Sequence, residues 1–255
     1  MSHDTNTSST VEKAFAILDL VHAKGATGLS LGEVSKEIGV AKSTAYRYLN
    51  TLEKLEVVER DRDDRFFLGI KLIDLASGLL SQSRFRSAAI PHLEELSTHT
   101  PETIHLAVRS GSDMVYLARI DGSHALRMAS RIGARAQMYC TALGKCLLAN
   151  VSEKAVDEIM SEGLEPRTPK TITDPDALRR ELDEVRARGF AIDNEENEMG
   201  VRCMGAPVFN YTGAVIGAVS ISGPVGRLTH EKCLEVAPQL QEAARRISRR
   251  MGYTT

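Results

Sequence analysis

Side chains that can donate hydrogen bonds to phosphate or base oxygens are concentrated at Lys42, Ser43, Thr44, Tyr46 and Arg47. An arginine can donate two parallel bonds to guanine O6 and N7, and serine or threonine hydroxyls can reach phosphates or base edges. Lys42 adds a cation near a predicted helix start, where backbone N–H groups favour anions. This combination indicates contact with a nucleic acid. The alternative is a solvated helix face.

Two serines in the strand-like run from Ala218 to Ser222 form a second candidate site. Because side chains alternate between the two faces of a strand, Val219 and Ile221 share one face, and Ser220 and Ser222 share the other. The second face is small and polar. It can hold a small ligand, or it can lie in water at the surface of the protein.

A third candidate is the predicted helix start at 141–145, which places Ala142, Leu143 and Gly144 in the first turn. The first N–H groups of a helix have no partner inside the helix and bind carboxylates well. We therefore interpret this turn as a possible carboxylate site.

The cysteines are expected to be free thiols, because their spacings match neither a disulfide framework nor a paired-cysteine zinc site. There are four, at Cys140, Cys146, Cys203 and Cys233. No catalytic residue, metal site or cofactor is predicted. Two alternatives stay open: a cysteine-dependent enzyme with Cys203 as nucleophile and His105 or His230 as base, and a redox or metal sensor.

Three helices are predicted to position the first polar cluster. The first has a capping-box pattern from Ser9 to Glu12 and an apolar face, comprising Val11, Ala14, Phe15, Leu18 and Val21. A second capping box, Ser30 to Glu33, begins a short helix that ends at Gly39, and the third helix carries the cluster. Two short helices joined by a glycine-containing turn are typical of a helix-turn-helix.

A hairpin, or wing, is predicted after the third helix, from strand-like runs at 57–60 and 65–68. Arg62 at its polar tip is a candidate contact to the minor groove or backbone of DNA, although three neighbouring aspartates repel phosphate. Acidic residues slightly outnumber basic ones through residue 80, so a single module would bind weakly. The chain is therefore expected to form a dimer that places two helices in successive major grooves.

The remainder predicts an α+β fold in which an antiparallel sheet is flanked by helices, because strands come first, then helices, then strands again. One of those strands is a short candidate at 125–130. A preceding helix at 71–80 carries an apolar stripe that needs a partner, formed by Leu72, Leu75 and Leu79. The predicted boundaries are 1–69 for the DNA-binding domain, 70–84 for a linker helix and 85–255 for a second domain.

Composition is that of an ordinary globular protein. The 255 residues are 42% hydrophobic and 26% charged, and the net charge of −2 gives no general attraction to nucleic acid. No run approaches the ~20 apolar residues of a membrane span, and the polar start lacks a signal-peptide pattern. A cytoplasmic protein without membrane contact is expected.

The helix-turn-helix sequence at 40–49 resembles that of the IclR family of bacterial transcriptional regulators, and two further stretches also resemble this family. One is Glu102 to Val108, and the other is the glycine-rich segment from Gly200 to Phe209, followed by Ala218 to Pro224. The resemblance spans nearly the whole chain. It implies a winged helix-turn-helix domain, a linker helix and a GAF-like effector domain, assembled as a homodimer or tetramer on operator DNA.

The resemblance also implies that a small organic acid effector modulates operator binding, as in the control of a catabolic operon. It places Asp193, Cys203, Ser220 and Ser222 in the effector cavity and the effector carboxylate near the turn of Ala142 to Gly144. The plain alternatives are a capping role for Asp193 and an inert buried thiol for Cys203. Three candidates for an apolar wall are Met128, Met138 and Tyr139. The identity of the acid, and whether the complex represses or activates, are left open.

Overall fold

The computed structural model describes residues 8–123 and 130–254. The chain divides into two compact units, Met1–Gln82 and Ser83–Thr255. The strand predicted at 125–130 lies, apart from its last residue, outside the described residues. The functional boundaries at 69 and 84 stay a prediction.

The N-terminal unit is a three-helix core with a small antiparallel sheet in the order β1-β3-β2. Its elements are α1 (Ser9–Lys24), β1 (Leu29–Ser30), α2 (Leu31–Glu37), α3 (Lys42–Lys54), β2 (Val58–Arg60), β3 (Arg65–Leu68) and α4 (Lys71–Gln82). The predicted helix-turn-helix and wing are therefore confirmed, and the two-residue strand β1 is an addition.

The start of α2 shows why the sequence folds there. Ser30 Oγ accepts from Glu33 N at 3.3 Å, and Glu33 Oε2 accepts from Ser30 N at 2.8 Å, which completes the predicted capping box. The capping box predicted for α1 is wrong, because the N-cap is Ser8 and its side chain makes no capping bond.

The predicted face of α1 is only partly correct. Ile17 and Val21 are buried, whereas Val11 and Phe15 are 54% and 62% exposed. The apolar stripe is wider than the surface that the core of this unit covers, so its outer edge faces away from that core.

The C-terminal unit is built on a six-stranded antiparallel sheet in the order β6-β5-β4-β9-β8-β7. Its strands are β4 (Thr103–Ser110), β5 (Asp113–Ile120), β6 (Arg135–Gln137), β7 (Ala191–Asn194), β8 (Val201–Phe209) and β9 (Val215–Pro224). Its helices are α5 (Arg84–Ser97), α6 (Ala142–Leu148), α7 (Glu153–Ser161), α8 (Pro175–Arg188) and α9 (His230–Arg250). The α+β fold class is confirmed.

Each face of this sheet packs against its own set of helices. Val219 and Ile221 of β9 join the cluster that contains residues of α5 and α9. Ala218 joins the opposite cluster, which contains residues of α6, α7 and α8. The predicted alternation of β9 is therefore correct. Ser220 and Ser222 are 1% and 3% exposed, so the alternative of a solvated strand face is wrong.

Candidate functional site

Helix α3 presents the predicted polar cluster on its outer side. Ala45 and Leu49 are fully buried and fix the helix against the core of the unit. Four of the five cluster residues are exposed and one is half-buried; the exposed ones are Lys42, Ser43, Tyr46 and Arg47, and Thr44 is the half-buried one. The guanidinium of Arg47 makes no hydrogen bond or ion pair within 8–123 and 130–254, so its donors are available.

The first turn of α3 differs from that of α2. Its N-cap is Ala41, which has no side-chain oxygen, and no side chain caps the turn. The amides of Lys42 and Ser43 can therefore bind a phosphate oxygen from outside the helix. This adds backbone donors to the side-chain donors of Lys42 and Ser43.

Arg62 is exposed at the tip of the wing. The neighbouring carboxylates are partly engaged in the hairpin. Asp61 Oδ1 accepts from the backbone N–H groups of Asp63 and Arg65, both at 2.9 Å, and Asp64 pairs with Arg60 at 3.2 Å. Their repulsion of phosphate is reduced by these contacts.

A cavity of about 30 Å³ in the C-terminal unit collects residues from distant parts of the sequence. Six of the predicted effector residues line it, namely Ala142, Leu143, Asp193, Cys203, Ser220 and Ser222. This volume holds about two water molecules, so the walls have to widen to admit an organic acid.

Strand register explains how four strands bring their polar side chains together. Asp193 pairs with Cys203, and Cys203 pairs with Ser222 on the next strand. Ser220 pairs with His105 of β4. Residues paired in this way have their side chains on the same face, so the register forms one polar patch across the sheet.

Glycines let α6 begin close to this patch. A Cβ on Gly205 of β8 would lie 2.9 Å from the carbonyl oxygen of Ala142. Gly144 itself does not line the cavity: its N–H donates to Thr141 Oγ1 at 3.1 Å, and a Cβ there would lie 2.2 Å from the Cα of Met138. Gly144 therefore allows close packing of the turn.

His105 is the main cavity residue for which sequence reasoning gave no effector role. Its Nε2 lies 2.6 Å from Ser130 Oγ, and its Nδ1 lies 3.4 Å from the hydroxyls of both Ser220 and Ser222. Burial, aided by nearby Arg119, lowers the pKa of His105 to about 3. The neutral imidazole has one donor and one acceptor nitrogen, so it connects the serines into one network.

Asp193 ends β7 beside a tight loop. Its Oδ1 accepts from the backbone N–H groups of Glu196 at 2.7 Å and Asn197 at 3.3 Å. The carboxyl is 2% exposed. Burial, with a further contribution from the charge of Glu196, raises its pKa to about 7. The capping role and the cavity role thus coincide in one residue.

Lys145 is fully buried under the cavity wall. Its ammonium donates to Glu196 Oε1 and the carbonyl oxygen of Ile192, both at 2.6 Å, and to Glu181 Oε1 at 3.2 Å. All three protons are used, which is what a buried ammonium requires. The network ties α6 to α8 and to the loop that follows Asp193.

The thiols are poorly suited to nucleophilic chemistry. Burial raises the pKa of Cys203, and it raises the pKa of Cys146 to about 12. Because the thiolate is the reactive form, these cysteines stay protonated and inert near neutral pH. No group of three or more His, Cys, Asp or Glu side chains in the described ranges could hold a metal ion.

Several other residues that line the cavity were not predicted as effector residues, among them Tyr116, Thr141, Asn197, Glu198 and Val201. Tyr116 could have been placed from the hairpin of β4 and β5, since it pairs with Ala107 on the face of His105. Met138 and Tyr139 are buried in the core cluster and do not line the cavity. Met128 lies outside the described residues.

Comparison with known families identifies both units. Residues 10–62 match the IclR helix-turn-helix domain, and residues 78–249 match the family described as bacterial transcriptional regulator IclR C-terminal. The chain belongs to the IclR family. As an IclR-family protein it is a DNA-binding transcriptional regulator with a C-terminal effector-binding domain.

Similar proteins match over most of their length. The transcriptional regulator KdgR of Escherichia coli is 41% identical over 249 residues, covering 96% of this chain and 93% of that protein. The crystal structure of Thermotoga maritima IclR is 40% identical with a TM-score of 0.77, covering 96% and 99% of the two chains.

One structure of an IclR homologue contains a ligand. It comes from Microbacterium hydrocarbonoxydans in complex with 4-hydroxybenzoate, is 26% identical with a TM-score of 0.82, and covers 95% of this IclR-family chain and 99% of that chain.

Within the described residues, no helix is long and apolar enough to cross a membrane.

Proposed function

We propose that this regulator binds its operator as a dimer through α3 and the wing, and that a small organic acid bound in the cavity modulates this binding. The observation that carries the proposal is the convergence of the start of α6 with Asp193, Cys203, Ser220 and Ser222 on one buried polar patch. A few polar groups that converge on one cavity fix the orientation and identity of a bound small ligand.

In this proposal Arg47 reads base edges, and Lys42, Ser43 and Thr44 contact phosphates or bases near the first turn of α3. Tyr46 is 50% exposed beside them, which suits contact with the sugar-phosphate backbone. Arg62 adds a backbone or minor-groove contact from the tip of the wing. The control of a catabolic operon is part of the same proposal.

The acid class is supported by the chemistry of the cavity. The serine hydroxyls and the turn of Ala142 and Leu143 offer donors to a carboxylate, and the solved homologue with 4-hydroxybenzoate binds an acid. Both serines already contact His105, so an incoming carboxylate would exchange long 3.4 Å contacts for charge-assisted hydrogen bonds.

The dimer is supported by apolar side chains that the N-terminal unit leaves in water. Leu75 and Leu79 of α4 are 58% and 70% exposed, and Ile73 is 65% exposed. Phe15 of α1 adds a further large exposed ring. Leu75 and Leu79 are four residues apart and share one face of α4, and an exposed apolar stripe of this kind is typical of an interface between subunits. Leu72 is half-buried and contributes less.

A thermal-shift screen tests the effector assignment. Pyruvate, gluconate and 4-hydroxybenzoate represent 2-oxo acids, sugar acids and aromatic acids. An acid present at ~100 times its Kd stabilises the folded state by ~2.7 kcal/mol, which raises the melting temperature by several degrees. The same acid should change the binding of DNA that the protein has selected from a random library. An acid that binds without any change in DNA binding contradicts the proposal.

A further inference from the structure

The charges around the cavity are unusual for a site that takes an anion. Five ionisable side chains line it, namely His105, Tyr116, Asp193, Glu198 and Cys203. Among the described lining residues there is neither a lysine nor an arginine. The two carboxyl groups therefore face an incoming carboxylate without a cation in the wall.

Two cations just outside the wall already have anionic partners. Lys145 of α6 is bonded to both Glu196 and Glu181. Arg119, the partner of His105 on β5, pairs with Asp121 at 2.6 Å. The low pKa of His105, about 3, keeps it neutral.

Cys203 and Tyr116 face Asp193 as neutral groups, because burial raises the pKa of each. Cys140 is buried beside them, and its pKa is raised to about 12. The cation whose charge acts on the carboxyl of Asp193 is Lys145, and it is already paired with Glu196 and Glu181.

The carboxyl of Asp193 is nevertheless well placed to hold a proton. Its Oδ1 is fixed by the backbone N–H groups of Glu196 and Asn197. Its Oδ2 makes no hydrogen bond within the described part of the chain. A proton on Oδ2 would turn this oxygen into a donor directed at an occupant of the cavity.

When the effector is bound, its carboxylate and that of Asp193 share a poorly solvated site. The two cannot both stay ionised, so one of them takes up a proton. We propose that the cavity binds an organic acid together with one proton from solvent, and that Asp193 holds this proton and donates it as a hydrogen bond to the effector carboxylate. The inference rests on the proposed function and adds the ionisation state in which the site recognises its effector.

The competing role for Asp193 is that of an ionised acceptor for an effector hydroxyl. The two roles predict different pH dependences. With proton uptake, the affinity falls about tenfold for each pH unit above the pKa of free Asp193. With an ionised acceptor, the affinity stays constant or rises over the same range.

The experiment measures the Kd of pyruvate, gluconate and 4-hydroxybenzoate for the full chain by calorimetry, between about pH 6 and about pH 9. The carboxyl groups of these probes are ionised throughout, so a pH dependence near neutrality reports on the protein. For the wild type we expect affinity to fall with rising pH, with net uptake of one proton shown by the dependence of the heat on buffer.

The variant Asp193→Asn separates the effect of the proton on binding from any effect of the substitution on folding. The amide is neutral at every pH and can donate a hydrogen bond in place of the protonated carboxyl. We expect this variant to bind the acid with no pH dependence and, at about pH 9, more tightly than the wild type. Glu198→Gln is the matched control, because Glu198 lines the same cavity but is exposed. This variant should keep the wild-type dependence of the Kd on pH.

Two results overturn the inference but leave the effector site in place. One is a Kd for pyruvate, gluconate or 4-hydroxybenzoate that does not change with pH. The other is weaker binding of the acid by Asp193→Asn than by the wild type at every pH. If none of the three acids binds, the effector assignment itself fails. The titration of the Asp193 carboxyl carbon by NMR, assigned with Asp193→Asn, still decides the ionisation claim. A midpoint near neutral pH supports it, and a midpoint in the ordinary acidic range contradicts it.

Discussion

Lys145 donates to Glu196 at 2.6 Å, and both side chains are buried. The lysine lies on α6, directly after the turn that lines the cavity, and the glutamate lies in the loop that fixes Asp193. This ion pair therefore holds two walls of the cavity at a defined separation. A buried pair of this kind is costly to break, because the remaining partner keeps its charge without compensation.

Lys145→Met is expected to destabilise the C-terminal unit by ~3–5 kcal/mol, since it leaves the buried Glu196 without its cation. Chemical denaturation measures the loss of unfolding free energy, provided that this free energy falls with denaturant concentration at the same rate in wild type and variant. Lys232→Met is the matched control: it removes an exposed pair with Glu235 and should cost less than about 1 kcal/mol. Equal losses in the two variants would show that the buried network has no special role.

Asp193 makes stability depend on pH. Its pKa is raised to about 7 in the folded state from the ordinary value of 3.8, so the folded state binds the proton more tightly than the unfolded state. The free energy of unfolding should fall, relative to that of Asp193→Asn, as the pH rises from about 4 to about 7, and then stay level. Denaturation curves of both proteins across this range check the sign. A wild type that gains stability relative to Asp193→Asn as the pH rises contradicts it.

Arg47→Ala is expected to weaken operator binding by ~1–3 kcal/mol and to relax specificity at one base pair, because a bidentate base contact is lost. Ser43→Ala should act in the same direction. Folding and acid binding should be unchanged. Arg180→Ala is the control, since it removes an exposed arginine of α8 in the other unit. Unchanged operator binding by Arg47→Ala would show that α3 is not the reading helix.

The combined change Leu75→Glu and Leu79→Glu is expected to convert the protein to monomers at micromolar concentration and to weaken operator binding. Both side chains are exposed on α4, and glutamates there would place like charges in the proposed interface. Light scattering gives the mass. Tyr211→Glu, at a position 78% exposed in the other unit, should keep the wild-type mass. A wild type that is itself monomeric would contradict the proposal.

Local rules predicted most of the elements. Helix α8 has Asp174 as N-cap, Pro175 at its start and left-handed Gly189 as C-cap, and all three signals are visible in the sequence. The alternation along β9 correctly placed Ser220 and Ser222 on one face. The strand β6 was missed because it has only three residues and no periodicity to detect.

Long-range partners explain what the sequence did not reveal. Lys145 reads as an ordinary surface lysine, and its burial depends on Glu181 and Glu196, which follow 36 and 51 residues later. The contact between His105 and Ser220 spans 115 residues. On α1 the pattern identified an apolar stripe, but only packing shows that Phe15 faces away from the core of its unit.

The most direct test of the effector site is a DNA-binding titration against the acid for the wild type and for the protein with both Ser220→Ala and Ser222→Ala. The acid is the one that gives the largest shift in the thermal screen. The double change removes two hydroxyls from the cavity and adds no bulk, so DNA binding without the acid should survive. Each lost hydrogen bond to a charged ligand is worth ~1.5–3 kcal/mol, so the half-response concentration should rise roughly tenfold or more. Equal half-response concentrations for the two proteins would contradict the assignment of this cavity as the effector site.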